Sequence, residues 1–147
     1  MNRLGSTLML SAALLLGATS AAQAALPDKA TLYMNPECGC CGEYARQLEA
    51  RGVEVKVIDD VEVGRIKQRV GLPYGHGSCH TIQMGGYAIE GHVPFEAVET
   101  LFEERPDTRG IGLAGMPIGT PGMPGPKQGD WEIYQFRDGE AKPFMTL

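Results

Sequence analysis

Residues 30–51 read ATLYMNPECGCCGEYARQLEAR, and this stretch decides the fold. Its first five residues, Ala30 to Met34, are mostly apolar and predict a short buried strand, which Asn35-Pro36 ends. A helical pattern follows from Glu43 to Arg51, where apolar residues recur at helical spacing ahead of a glycine. Between the predicted strand and the predicted helix stand three of the four cysteines of the chain, Cys38, Cys40 and Cys41.

The elements that follow are predicted in the same way. Val53 to Asp59 alternates like a half-buried strand, and Asp59 or Asp60 is expected to cap a helix over Val63–Val70. The next elements are two strands, Thr81–Met84 and Tyr87–Glu90, on either side of the hairpin pair Gly85-Gly86, and a helix from Pro94 to Glu104. The order strand, helix, strand, helix, strand, strand, helix predicts an α/β fold of the thioredoxin-like type (βαβαββα).

A Gly/Pro/Met-rich extension follows this predicted domain. Gly110 to Gly129 contains Gly-Met-Pro twice, and we expect it to lack secondary structure and to cover or complete a site. Trp131–Phe136 and Ala141–Met145 predict a terminal hairpin. The predicted domain organisation is therefore a signal peptide over residues 1–24, a thioredoxin-like domain over 25–109, and an extension over 110–147 that contributes to a metal site.

The first 24 residues have the pattern of a secretory signal peptide. Arg3 precedes the apolar stretch Leu8–Leu16, and small residues end the segment at Ala22-Gln23-Ala24. The apolar stretch is about half of the roughly 20 residues that a membrane-spanning helix needs. We therefore expect cleavage, no membrane insertion of the mature chain, and a periplasmic location in which disulfides can form.

Composition narrows the function classes. The chain has 147 residues, of which 43% are hydrophobic, so it is long and apolar enough for one packed domain and not for wholesale disorder. The formal net charge of −5 argues against nucleic acid and anionic lipid as partners. No feature of the sequence signals self-association, so a monomer is expected.

The cysteine cluster lies where a strand leads into a helix. Unpaired N–H groups and the helix dipole favour negative charge there, so thiolates are stabilised. Cys38 and Cys41 have the C-x-x-C spacing of a thioredoxin-type redox dithiol, which makes them candidate catalytic residues. A purely structural disulfide is the weaker alternative, because closing so short a loop restricts the unfolded chain only slightly.

The fourth thiol, Cys79, stands in Ser78-Cys79-His80-Thr81, just before the third predicted strand. In thioredoxin-like folds this position faces the dithiol loop. If Gly85-Gly86 form the two-residue turn, pairing along the hairpin places His92 opposite Cys79. His80 and His92 are therefore candidate site residues, whereas His76 is expected to be a solvated loop residue.

This donor set predicts a soft metal. Clustered thiolates select Cu(I), zinc or iron–sulfur clusters, and three cysteines within four residues favour bridging between ions over a single tetrahedral zinc. Thioethers favour copper, so Met116 and Met123 in the extension are candidate ligands. Met34 and Met84 lie on predicted strands and are expected to be core residues.

Three motifs occur together with the predicted signal peptide and the Gly-Met-Pro loop. They are Cys38-Gly39-Cys40-Cys41, Ser78-Cys79-His80-Thr81 and Glu90-Gly91-His92-Val93-Pro94. In this combination the chain resembles the periplasmic CopG-type copper-resistance proteins, which are distinct from the ribbon-helix-helix repressors of the same name.

The resemblance implies a cysteine-bridged, multinuclear copper site beside the C-x-C-C motif, and a role in interconverting Cu(I) and Cu(II) during copper efflux. It implies sulfur ligation by Cys38, Cys40, Cys41 and Cys79. Ligands from the extension would be Met116, Met123 and a histidine. The implied partners are copper ions and periplasmic copper-efflux components, and the implied enzymatic activity is that of a copper oxidoreductase.

Two other functions fit the same residues. The chain could be a copper chaperone or buffer without redox turnover, in which the thiols only hold and deliver the ion. It could also be a metal-free thiol–disulfide oxidoreductase that uses Cys38 and Cys41.

Overall fold

The computed structural model describes residues 25–147, and the predicted signal peptide of residues 1–24 lies outside them. Ten elements follow one another along the chain: β1 Lys29–Met34, α1 Gly39–Glu49, β2 Glu54–Ile58, α2 Val63–Arg69, β3 His80–Met84, β4 Tyr87–Glu90, α3 Phe95–Glu104, β5 Gly110–Gly112, β6 Glu132–Arg137 and β7 Glu140–Thr146. None of the helices within residues 25–147 has the length and apolar character needed to cross a membrane.

All seven strands form one sheet in the order β2-β1-β3-β4-β5-β6-β7. The pairs β1/β2 and β4/β5 are parallel, and the other neighbours are antiparallel. The predicted α/β class is confirmed, and the first seven elements have the predicted order. The thioredoxin-like type stays a prediction.

The two faces of the sheet carry separate apolar clusters because successive strand residues point to opposite sides. The larger cluster joins Leu32, Ile82 and Ile89 to the inner sides of α1 and α3. The smaller cluster lies on the other face, around Ala88 and Phe136. Met34 and Met84 are both buried in the larger cluster, as expected of core residues.

Helix α1 begins at Gly39, so its predicted start at Glu43 is wrong by four residues. Gly42 N–H donates to Cys38 O at 3.3 Å, which makes Cys38 the N-cap and brings the other two thiols of the cluster into the first turn. Cys41 is fully buried on the same side of the helix as Tyr44 and Leu48. The apolar stripe thus starts with a cysteine, which the sequence pattern had not counted as apolar.

Other predicted boundaries also shift. The expected cap of α2 at Asp59 or Asp60 is wrong, since Glu62 occupies the N-cap position. Pro94 is likewise the N-cap of α3 and not its first helical residue. Strand β2 is less buried than its alternation suggested, because it forms an edge of the sheet and leaves Val57 44% exposed.

The expectation that residues 110–129 lack secondary structure is wrong at their beginning, where β5 pairs with β4 and β6. Glycines were taken as loop signals, but here they permit close packing. A Cβ on Gly110 would lie 1.9 Å from Ala88 O, and one on Gly112 would lie 2.3 Å from Tyr134 Oη. The terminal hairpin is confirmed as β6 and β7, and it extends the same sheet.

The close approach at Gly110 gives a test of this packing. We expect Gly110→Ala to lower the free energy of unfolding by about 3 kcal/mol, because the methyl group would overlap a backbone carbonyl that cannot move independently. Urea denaturation of the purified protein measures the change. The matched control is Gly64→Ala in α2, where a Cβ meets nothing within 4 Å. This control should be neutral or stabilising by up to about 1 kcal/mol, and equal losses in both variants would contradict the packing.

Candidate metal centre

Three thiols are held by the first turn of α1. The turn before the helix is fixed by Cys38 N–H, which donates to Asn35 O at 3.0 Å. Cys38 and Cys41 form a disulfide with their Cα atoms 5.3 Å apart, while Cys40 is a free thiol. The C-x-x-C pair is therefore in its oxidised form, with Cys41 buried and Cys38 half-buried.

A free thiol lies beside each end of this disulfide. Cys40 Sγ is 3.4 Å from Cys38 Sγ, and Cys79 Sγ is 3.3 Å from Cys41 Sγ. All four sulfur atoms lie within 4.8 Å of one another. The structure thus brings the distant Cys79 to the C-x-C-C motif, although 38 residues separate it from Cys41.

His92 lies opposite Cys79, as the hairpin register predicted. Thr81 pairs with Glu90 and Ile82 with Ile89, and His92 Nε2 is 3.1 Å from Cys79 Sγ. The other ring nitrogen, Nδ1, lies 2.7 Å from Pro121 O. Because a carbonyl oxygen only accepts, Nδ1 carries the proton and the neutral ring presents the Nε2 lone pair to the site. Burial lowers the pKa of His92, which favours this neutral form.

His80 also lies against Cys79, with Nδ1 3.4 Å from its sulfur. The ring is fully buried, and burial lowers the pKa of His80 to about 3. Among the described residues, His80 Nε2 has no hydrogen-bond partner. A neutral, buried imidazole with an unsatisfied nitrogen suits a metal ligand.

The ligand atoms form two overlapping groups. One contains the four cysteines, and the other contains Cys41, Cys79, His80 and His92, with all ligand atoms of each group within 4.8 Å of one another. Soft sulfur and imidazole donors suit copper and zinc, whereas hard ions prefer oxygen ligands. The residues present therefore fit a soft metal ion.

Burial controls the charge of Cys79. Desolvation raises the pKa of the Cys79 thiol to about 11, and the nearby Cys40 adds to the shift. Cys79 directly precedes β3, so no helix N-terminus stabilises its thiolate. It is consequently a neutral thiol near pH 7, and a bound cation would displace its proton.

Tyr44 of α1 supports both histidines. Its ring centroid is 5.0 Å from that of His80 and 5.8 Å from that of His92, and its hydroxyl donates to Val93 O at 2.7 Å. In the sequence, Tyr44 is only one of the apolar residues in the helical pattern from Glu43 to Arg51. Its spacing of three residues from Cys41 was the available signal that it lies beneath the thiols.

The backbone of the extension also reaches the site. Pro121 supplies the carbonyl that orients His92, and Ser78 Oγ donates to Gly115 O. Gly122 passes so close that a Cβ there would lie 2.6 Å from Cys40 O, at a φ of +83°. Sequence reasoning did not identify Pro121 or Gly122, since backbone contacts leave no residue-type signal.

The two candidate methionines have different surroundings. Met116 directly follows Gly115, whose carbonyl accepts from Ser78 Oγ, and it is 52% exposed. Met123 is partly buried and lines a groove with Glu43 and Trp131. These surroundings do not test whether either methionine binds a metal, so both ligand assignments stay predictions. His76 belongs to neither ligand group and is less solvated than expected, because its ring packs 5.0 Å from that of Tyr134.

Sequence analysis also missed a buried ion pair between Lys67 and Glu90 beside the site. In the sequence, Glu90 was assigned as the end of a predicted strand and as the first residue of the motif Glu90-Gly91-His92-Val93-Pro94, without an ionic partner. Its position directly across the hairpin from Thr81 was the one signal that a polar cluster forms there.

The raised pKa of Cys79 predicts slow alkylation in the metal-free, oxidised protein. At pH 8 only about a thousandth of a thiol with a pKa of about 11 is thiolate, the form that reacts. The rate of Cys79 carbamidomethylation by iodoacetamide, followed by peptide mass spectrometry, should keep rising up to about pH 11. The same protein in urea is the control, and there the rate should level off near pH 8.5. Identical pH profiles would contradict the burial effect.

Comparisons with known proteins show the family of the chain. A family described as "Protein of unknown function, DUF411" matches residues 76–123, which contain Cys79, both site histidines and both extension methionines. Two solved structures, described as copper resistance protein copG in Form 1 and Form 2, each match with a TM-score of 0.74 and 35% sequence identity. Each match covers 82% of this chain and 98% of the other. A search of curated proteins gave no match. The predicted resemblance is confirmed, and the chain belongs to the CopG family of copper resistance proteins.

Proposed function

We propose that this chain is a periplasmic copper-binding protein of copper resistance whose cysteines bridge more than one copper ion. The observation that carries this proposal is that four sulfur atoms and two imidazoles form two overlapping ligand groups, which share Cys41 and Cys79. The proposed sulfur ligands are Cys38, Cys40, Cys41 and Cys79. The similarity to two copper resistance proteins at 35% identity supports copper over other soft metals.

The overlap of the two ligand groups supports a multinuclear site. Cys41 and Cys79 belong both to the four-sulfur group and to the group with His80 and His92. A single tetrahedral ion needs only four ligands and would leave the remaining donors unused. If Cys41 and Cys79 were shared between two adjacent ions, all six donors would be used.

The extension completes the site in this proposal. Pro121 O contacts His92 Nδ1 and Gly122 passes close to Cys40 O, so this part of the extension lies beside the site. Met116 and Met123 would supply thioether ligands from this segment. We further propose that the chain is divided into a signal peptide, a thioredoxin-like domain and this extension. The β1-α1-β2 unit, whose two strands are parallel, would be the first half of the thioredoxin-like domain.

The disulfide supports a redox role. Its reduction to two thiols takes up two electrons and two protons, while oxidation of Cu(I) to Cu(II) releases one electron. One Cys38–Cys41 disulfide therefore matches two copper ions in electron count. On this basis we propose that the protein is a monomeric oxidoreductase that interconverts Cu(I) and Cu(II) in support of periplasmic efflux components.

Copper stoichiometry tests the multinuclear site. Protein that has been reduced and loaded without oxygen should hold more than one Cu(I) per chain, measured by metal analysis and absorption spectroscopy. Cys79→Ser should hold one or none, because it removes a bridging sulfur. Met116→Leu and Met123→Leu, which remove the proposed thioether ligands, should lower the copper loading. Met145→Leu on β7 is their control and should keep full loading. A wild-type stoichiometry of one or less would contradict the cluster.

Redox cycling separates the copper functions. Under the oxidoreductase proposal, alternate additions of oxidant and reductant should cycle the bound copper between Cu(I) and Cu(II), followed by electron paramagnetic resonance, without loss of metal. Loss of copper on oxidation would instead support a chaperone or buffer.

The Cys38–Cys41 disulfide also favours a second candidate, a metal-free thiol–disulfide oxidoreductase. An insulin reduction assay tests this candidate directly. Under it, Cys79→Ser should reduce insulin as fast as the wild type while Cys41→Ser is inactive.

A further inference from the structure

A buried carboxylate lies directly behind the metal centre. Glu90 ends β4 with its side chain 0% exposed. Its Oε1 accepts from Ser78 N–H at 2.7 Å and from the Lys67 ammonium group. Its Oε2 accepts from the Thr81 hydroxyl at 2.6 Å. Both carboxylate oxygens are thus occupied by donors from three different places in the chain.

Lys67 ties the same cluster to α2. Its ammonium group contacts Thr81 Oγ1 at 3.1 Å and His80 O at 3.4 Å in addition to Glu90, and its side chain is only 17% exposed. The pair joins one helix to two adjacent strands. An ion pair buried in this way is costly to desolvate, and apolar residues of similar size often stabilise a fold equally well. Stability alone therefore does not account for these residues.

The contacts of the pair bracket Cys79. Ser78 N–H, immediately before it, is bound by Glu90, and His80 O, immediately after it, is bound by Lys67. Gly91 allows the close approach, because a Cβ there would lie 2.5 Å from Ser78 Cβ. The side-chain network holds the backbone on both sides of Cys79.

We infer that Glu90, held by Lys67, is a positioning residue of the metal centre that keeps Cys79 Sγ against Cys41 Sγ and His92 Nε2. His92 lies two residues after Glu90 in the chain, and Cys79 directly follows Ser78, which Glu90 binds. The one carboxylate therefore fixes the backbone beside both partners of the Cys79–His92 contact. The significance for copper rests on the proposed function, but the geometry does not depend on copper.

The position of Cys79 is measurable without metal. In a Cys38→Ser/Cys40→Ser parent only Cys41 and Cys79 remain, and their sulfurs are 3.3 Å apart in the structure. Their effective concentration, obtained from disulfide formation in glutathione buffers, reports how well the two sulfurs are held together. Glu90→Gln in this parent should lower it about tenfold, because an amide nitrogen cannot accept from Thr81 and the charge pairing with Lys67 is lost.

Two further variants keep the test decisive. Thr81→Val removes one donor at constant size and should lower the effective concentration about threefold even if Glu90→Gln does not fold. Lys67→Arg keeps the charge, so its effective concentration should stay close to that of the parent. Lys67→Met removes the charge and should lower the effective concentration.

Val98→Ala, in the core of α3, is the stability-matched control and should leave the effective concentration unchanged. Values for Glu90→Gln and Thr81→Val within twofold of the parent would overturn the inference, as would an equal fall in Val98→Ala. Because the assay contains no copper, a failure of the copper proposal would leave this result intact, and the two failures can be told apart.

Discussion

The register of the β3–β4 hairpin is the constraint on which the site depends. Gly85 and Gly86 both have positive φ values, 55° and 88°, as a two-residue hairpin turn of this hand requires. The turn pairs Thr81 with Glu90 on one face and brings Cys79 to His92 at the open end. A slip of one residue would move every side chain of one strand to the opposite face, which would separate both pairs.

Burial decides the protonation state of the donors at the site. Desolvation raises the pKa of Cys79, so this thiol stays protonated near pH 7. Burial also keeps His80 and His92 neutral, so the site contains lone pairs without accumulating buried charge. The buried carboxylate of Glu90 is balanced by the ammonium group of Lys67, which contacts it directly. Neutral donors of this kind are ready to bind a cation whose own charge then promotes loss of the thiol proton.

The sequence allowed prediction of features that rest on local spacing. Element order, the Gly85-Gly86 turn and the approach of Cys79 to the cysteine cluster follow from periodicity and from the order of strands. Features that rest on tertiary contact were missed. The start of α1 depends on burial of Cys41, and β5 depends on glycines that allow neighbouring strands and rings to pack closely. The partner of Glu90 is 23 residues away in another element, so no local pattern could reveal it.

The disulfide sets a condition on how the proposed copper site works. While Cys38 and Cys41 are joined, neither can act as a thiolate, and the remaining donors are Cys40, Cys79 and the two histidines. Cys40 lies beside Cys38 and Cys79 lies against Cys41, with all four sulfurs within 4.8 Å of one another. Reduction would return Cys38 to the four-sulfur group and Cys41 to both ligand groups. Under the proposed function, full loading with copper would therefore require the reduced state.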